Sequence, residues 1–284
     1  MFLYGQKLAI KIIDELKTRP KPSGCLCAVQ VGDDPVSSLY IEKKKEVADT
    51  LGVCFKVIKL KKEITQTDLI SEIERLNANS KIGAIIVQLP LPEVLNRREV
   101  VAKIVPEKDV DGFSFILGEK SKVIAPTILA IDELLDFYHI EKSNQKILIV
   151  GEGFLVGKPL GVFWRKEGLE IDMLLKDDEY YAEKLRDADI VVLAIGGGKT
   201  FGYQDFKVGA TIIDASTVDD LGKVRGDVSL DGWAEDKNIA PVPGGVGPVT
   251  VAMLFRNLFG LSQNSKVKTK TNKLKTYCSF WVLS

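Results

Sequence analysis

Three consecutive lysines stand in "GDDPVSSLYIEKKKEVADTLG" (32–52). Only one of them falls on the apolar face of the helix that this stretch predicts. At about 100° per residue from Val36, Val47 lies at about 20°, Tyr40 at about 40°, Leu51 at about 60°, Ala48 at about 120° and Ile41 at about 140°. Lys44, at about 80°, sits inside that arc, whereas Lys43 and Lys45 fall at about −20° and 180°, at or beyond its edges. Removing a lysine from water lowers its pKa and can make it a neutral base near physiological pH. The structural alternative is a lysine whose stem lies along the apolar face while its head reaches solvent.

Other polar residues stand where chemistry could use them. "GAIIVQLPLP" (83–92) reads as a buried strand carrying Gln88 between Val87 and Leu89, stiffened by Pro90 and Pro92. The amide either satisfies backbone groups or faces a ligand. "EKDVDGF" (107–113) places Asp109 and Asp111 two apart in a loop. An EF-hand is excluded, because its sixth and twelfth positions would be Ser114 and Lys120. What remains is an Asp-Gly turn or a carboxylate aimed at a ligand's N–H groups. "ILIVGEGFLVGKPLG" (147–161) is a strand, a glycine loop and a helix start, with glycine spacing one residue longer than the usual dinucleotide fingerprint. "LAIGGGKT" (193–200) imitates a P-loop, yet Leu193 stands where its first glycine belongs. "PVPGGVGPVT" (241–250) serves either as a helix entry with Pro248 in the first turn or as a ligand-contacting loop.

These residues need a scaffold, and the chain predicts an alternating one. Strands are expected at 27–31, 54–58, 84–89, 146–150, 171–175, 189–195 and 210–215. Helices are expected at 36–51, 67–77, 157–167 and 248–260. The alternation implies an α/β fold with largely parallel sheets, and the interruption near 106–126 divides 284 residues into two lobes with a cleft between them. Lys+Arg and Asp+Glu each number 39, so no net field points to nucleic acid or an anionic membrane. The run "SKVKTKTNKLKT" (265–276) reads as part of a solvated basic tail, with a polyanion contact as the alternative. None of the four cysteines has zinc or redox-motif spacing, and Cys25 and Cys27 read as reduced strand residues. The only histidine, His139, reads as a surface or capping residue, which removes histidine triads and multi-histidine zinc sites. With no apolar run of membrane length, a cytoplasmic protein without metal is expected.

Five stretches in order, "GDDPVSSLYIEKK", "VQLPLP", "PEKDVDGF", "VGKP" and "PVPGGVGPVTVAML", resemble the bifunctional methylenetetrahydrofolate dehydrogenase/cyclohydrolase family. The similarity runs from about residue 3 to 261. It implies a folate-binding catalytic domain over 1–122, completed by a helix at 248–261, a Rossmann-like cofactor domain over 123–247 and a tail over 262–284. It also implies that Tyr40 packs on the aminobenzoate, that Lys44 handles proton and water chemistry with Gln88 tuning it, and that Asp111 binds the pterin's polar edge. Val87, Leu89, Pro243, Gly244, Gly245 and Gly247 would complete the substrate site. Gly151, Glu152, Gly153, Val156, Gly157, Asp177 and Thr217 would meet the nicotinamide cofactor. Tetrahydrofolate one-carbon units would be the substrates, and the protein would be a homodimer.

The departures concentrate in the cofactor half. Gly151-Glu152-Gly153 replaces the family's G-R-S, "APTILA" (125–130) replaces P-C-T-P-x-G, and "DAST" (214–217) replaces D-V-G-[IT]. They keep two rivals open, a cyclohydrolase without hydride transfer and a non-catalytic folate- or nucleotide-binding protein. Glu152 and the acids Asp177 and Asp178 after the next strand favour NAD over NADP, because an acid there accepts from a ribose 2′-OH and repels a 2′-phosphate, the alternative for the two aspartates being caps of the next helix.

Overall fold

A computed structural model describes residues 1–175, 178, 181–197, 200–220 and 223–263. Contacts divide the chain into two units, one of residues 13–126 with the segment from Leu254 onward, the other of residues 1–12 with 127–253. The boundaries differ from those expected in two places. Residues 1–12 belong with the second unit, because Leu3 donates to the Ile239 carbonyl at 2.7 Å and Phe2 bridges Ile239 in parallel. The last helix is also shared, its first half counting with the second unit and its second half with the first.

The first unit is built from α1 (Gln6–Lys17, of which Ile13–Lys17 belong here), β1 (Cys25–Val31), α2 (Pro35–Leu51), β2 (Phe55–Leu60), α3 (Gln66–Ala78), β3 (Ile82–Val87), α4 (Arg97–Val101) and α5 (Phe113–Ile116). The strands form a parallel sheet in the order β2-β1-β3. Central β1 is buried from Leu26 to Val31, as a parallel strand covered on both faces must be. Edge strand β2 is more open, with Lys56, Val57 and Lys59 exposed and none of its residues fully buried.

The second unit continues with α6 (Pro126–Phe137), β4 (Ile147–Val150), α7 (Gly157–Lys166), β5 (Ile171–Leu174), α8 (Tyr181–Asp187), β6 (Ile190–Leu193), β7 (Thr211–Asp214), the hairpin β8 (Val218–Asp220) and β9 (Lys223–Arg225), β10 (Asn238–Ala240) and α9 (Val246–Gln263). Its five-stranded parallel sheet has the order β10-β7-β6-β4-β5. Counted from β4, this is the doubly wound order 2-1-3-4-5, which reverses direction between β4 and β6. Val150, Leu174, Val191, Leu193 and Ile212 fill its core.

Most expected elements form, within a residue or two at their ends. The reading of Cys25 as a reduced cysteine is corrected. Cys25 and Cys54 form a disulfide with Cα atoms 4.5 Å apart, because parallel pairing of Leu26 with Phe55 sets their predecessors side by side. Cys27 remains a free, buried thiol, pushed up to about 11 by burial. His139, exposed and at φ 57°, lies just past the end of α6. Among the described residues no helix is long and apolar enough to cross a membrane. Asp177 and the lysine-rich run 265–276 lie outside the described residues.

Candidate active site

In the first unit the site is built on the start of α2 and the end of β3. The Asp34 carboxylate accepts from the Ser37 amide at 2.6 Å, and Pro35 occupies the first turn, where a missing N–H costs nothing. The helix then buries Ser37, Ile41, Ala48 and Leu51 on one face. Lys44 shares that face and is half-buried, whereas Lys43 and Lys45 are exposed. Tyr40, one turn earlier, is also half-buried, with the Lys43 ammonium 5.7 Å from its ring centre.

Strand β3 ends at Val87, earlier than the sequence suggests, although the Gln88 amide still donates to the Val29 carbonyl at 2.9 Å. Pro90 has no N–H to extend the ladder. The Leu89 carbonyl is instead taken by side chains, accepting from Gln88 Nε2 at 2.8 Å and Ser37 Oγ at 3.4 Å. Committing Nε2 in this way turns Gln88 Oε1 toward Lys44, whose Nζ donates to it at 3.0 Å. Of the alternatives open for this glutamine, Nε2 satisfies a backbone group, while Oε1 is taken by the Lys44 ammonium.

Asp109 and Asp111 separate into different roles. Asp109 is 1% exposed, and its carboxylate accepts from the amides of Phe113 at 3.0 Å and Ser114 at 2.8 Å, closing the turn into α5. Asp111 is half-buried and unengaged by that turn, and its charge is felt by Lys44. Burial pushes the Asp111 carboxyl up to about 6, with Lys44 opposing and Asp109 adding to the rise. Burial lowers the Lys44 ammonium below the usual lysine range, with Asp111 opposing. Asn257 on α9 holds this loop, donating from Nδ2 to the carbonyls of Val110 at 3.0 Å and Ile124 at 2.9 Å. Sequence reasoning passed over Asn257. Its signal was the lone amide inside the apolar run "VAMLFRNLF".

The second unit carries the glycine loop at the carboxyl end of β4. Gly151, at φ 99°, has no room for a side chain, since a Cβ would lie 2.7 Å from the Ala194 carbonyl oxygen. At Gly157, the first residue of α7, a Cβ would lie 1.7 Å from the Gly151 carbonyl oxygen. Strand, loop and helix therefore approach as closely as backbone permits. No side chain caps α7 at Val156, and Glu152 and Gly153 are exposed. This crevice edge lies where the sheet order reverses, the place where doubly wound sheets take dinucleotides. Thr217, exposed, follows β7. Pro243, Gly244, Gly245 and Gly247 also belong to this unit. The Gly244 carbonyl accepts from Gly5 N at 2.8 Å and the Gly245 amide donates to Pro241 O at 2.7 Å, so the loop is fixed by backbone bonds before α9 begins.

Two family models match the chain, the tetrahydrofolate dehydrogenase/cyclohydrolase catalytic domain over residues 3–111 and the NAD(P)-binding domain of the same family over 125–266. The bifunctional protein FolD of Bacillus subtilis is 36% identical over 256 residues, covering 87% of this chain and 89% of that relative. The crystal structure of the bifunctional FolD enzyme of Campylobacter jejuni superposes with a TM-score of 0.84 at 30% identity, over 93% of this chain and 99% of that one. The Trypanosoma brucei FolD, complexed with NADP cofactor and inhibitor, gives a TM-score of 0.84 at 28% identity, over 93% of this chain and 98% of that one. With a half-buried lysine–glutamine pair in one unit, a glycine loop at the strand-order reversal of the other and a family model on each, the chain belongs to the tetrahydrofolate dehydrogenase/cyclohydrolase family.

Proposed function

We propose that this chain, a bifunctional methylenetetrahydrofolate dehydrogenase/cyclohydrolase, works through Lys44 as its acid/base, with Gln88 orienting Lys44 and Asp111 holding the pterin. The observation that carries this reading is the 3.0 Å bond from Lys44 Nζ to Gln88 Oε1, made on a lysine whose ammonium form is disfavoured by burial. A nicotinamide cofactor supplies the acceptor for the hydride that leaves 5,10-methylenetetrahydrofolate. The residues that would hold it are Gly151, Glu152, Gly153, Val156, Gly157 and Thr217.

Hydration of the methenyl product asks for a base. Neutral Lys44 keeps one N–H on Gln88 and presents its lone pair to water. As the water oxygen bonds to the methenyl carbon, Lys44 takes one of its protons. Cleavage of the bond from that carbon to N5 then gives N5 a proton while the oxygen loses its second one, leaving 10-formyltetrahydrofolate and one released proton. Tyr40 would pack on the aminobenzoate, and Val87 and Leu89 would bound the substrate.

The finer cofactor assignment is NAD over NADP, supported by exposed Glu152 in place of the family's usual arginine, since a carboxylate there repels a 2′-phosphate. The reading also implies a cytoplasmic homodimer, which sedimentation equilibrium tests. Reduced cofactor and methenyl-folate followed in separate spectral channels test both steps at once. Gln88→Ala is expected to displace the pH profile of hydration. An unchanged profile with weaker substrate binding would move Gln88 from tuning to positioning.

A further inference from the structure

Beneath the carboxyl ends of β6 and β7 lies a polar cluster that the mechanism does not use. Asp214, Ser216 and Asp227 are 1%, 3% and 0% exposed. Asp214 ends β7, and its two carboxylate oxygens accept from the amides of Ser216 at 3.0 Å and Val228 at 3.0 Å. Asp227 turns its carboxylate toward the loop after β6, accepting from Gly196 N at 3.2 Å and Gly197 N at 3.0 Å. The Ser216 hydroxyl donates to Asp227 and accepts a weaker share of the Gly196 amide at 3.4 Å. Gly196 and Gly197 sit at φ 74° and 100°, conformations in which successive amides can converge on one carboxylate.

That loop is tied to the cofactor crevice. Ala194, two residues before Gly196, packs its carbonyl oxygen where a Cβ on Gly151 would stand, and its amide donates to Val150 at 2.8 Å. Residues 194–197 therefore start in contact with the glycine loop, across the strand-order reversal between β4 and β6. Ser216 occupies the position where the family pattern D-V-G-[IT] has glycine, so its hydroxyl is a contact this chain adds.

We infer that Ser216 and Asp227 form a latch that positions the Gly196–Gly197 turn for dinucleotide binding, making Ser216 a positioning residue for the dehydrogenase step. The inference rests on the nicotinamide reading of the β4–β6 crevice. A buried hydroxyl that donates to a carboxylate cannot be removed without leaving that carboxylate one donor short.

Calorimetric titration with NAD and NADP, hydrogen exchange over residues 194–197 and the cyclohydrolase rate together test it. Ser216→Ala is expected to weaken binding of the preferred dinucleotide about tenfold and to accelerate exchange at Gly196 and Gly197 by a similar factor. Its cyclohydrolase kcat should stay within about twofold, because Lys44 and Gln88 belong to the other unit. Ser216→Thr, which keeps the hydroxyl, should restore both affinity and protection, and Asp227→Asn, with one oxygen left for two amides, should lose at least as much as Ser216→Ala. Unchanged dinucleotide affinity in Ser216→Ala overturns the latch whatever the exchange shows. Parallel loss of cyclohydrolase activity, unrescued by Ser216→Thr, overturns it in favour of a general folding role. A wild-type protein that binds neither dinucleotide overturns the crevice reading itself, and with it the inference.

Discussion

The two units prepare their sites by different means. In the first, the proposed chemistry would be carried by side chains: an amine, an amide and a carboxylate whose positions follow from one helix cap, one strand end and one turn. In the second, the proposed site would be backbone, with glycines letting β4, β6 and α7 close to distances no side chain would allow. The difference teaches where each site tolerates change. The side-chain site would depend on the identity of its residues but stands on ordinary elements. The backbone site is defined by space, so a side chain on its loop such as exposed Glu152 can differ while the cradle remains.

The comparison breaks most directly at Lys44. Lys44→Met is expected to lower cyclohydrolase kcat by about 10³-fold, within the range general acid–base groups supply, while folate affinity stays within about tenfold. Lys43→Met and Lys45→Met, on exposed positions of the same helix, should be nearly silent. Steady-state assays of the three variants check this, and equal losses in all three would deny Lys44 its distinct place.

Gly157→Ala tests the other unit. Its Cβ would fall 1.7 Å from a carbonyl oxygen, so α7 must shift away from β4. Dinucleotide affinity should fall by about 10²-fold, equivalent to about 2.7 kcal/mol, while hydration of supplied methenyl-folate persists. If hydration and hydride transfer fail together, the two sites are not separable in the way their construction suggests.

A smaller effect is expected at Asp111, where it can be read as a pH dependence. Its carboxyl is pushed up from 3.8 to about 6, so the free enzyme loses the charged form as pH falls through about 6. Folate KM should rise correspondingly on the acid side. Asp111→Asn should flatten that limb and weaken binding at pH 8 by about 1.5–3 kcal/mol. Stability runs the opposite way. A carboxyl whose folded pKa lies above its unfolded value contributes stability below about pH 4, and that contribution disappears as pH rises through about 6. Fluorescence titrations and melting curves across this window check both limbs.

The smallest effect sharpens the cofactor assignment. Glu152→Arg, on an exposed loop, should shift the ratio of kcat/KM values toward NADP by about tenfold, roughly the worth of one charge contact at a partly solvated site. A wild-type enzyme that already prefers NADP would contradict the proposed role of Glu152.

Periodicity made much of this legible in the sequence. The wheel that turned Lys44 inward and its neighbours outward matches the helix, because α2 buries one face and a 3.6-residue period has one solution for three consecutive lysines. The parallel strands were legible for the same reason, as short β-branched runs buried on both faces. The glycine loop was visible as a motif, and the motif's extra residue did not displace it from the end of β4.

What the sequence alone determined was therefore local: which residues form helices and strands, which lysine faces inward, which loop is rich in glycine. Tertiary structure decided what depends on pairing distant segments. Cys25 meets Cys54 only because β1 and β2 are parallel neighbours in that register. Asp109 and Asp111, equivalent as letters, part company only when one is enclosed by the turn into α5 and the other is left to act on Lys44. Asn257 reaches the Val110 carbonyl across 147 residues of chain, and Asp227 reaches Gly197 across 30. Such contacts leave no periodic trace, because a hydrogen bond between remote residues is fixed by where the fold brings two groups and not by the spacing of either along the chain.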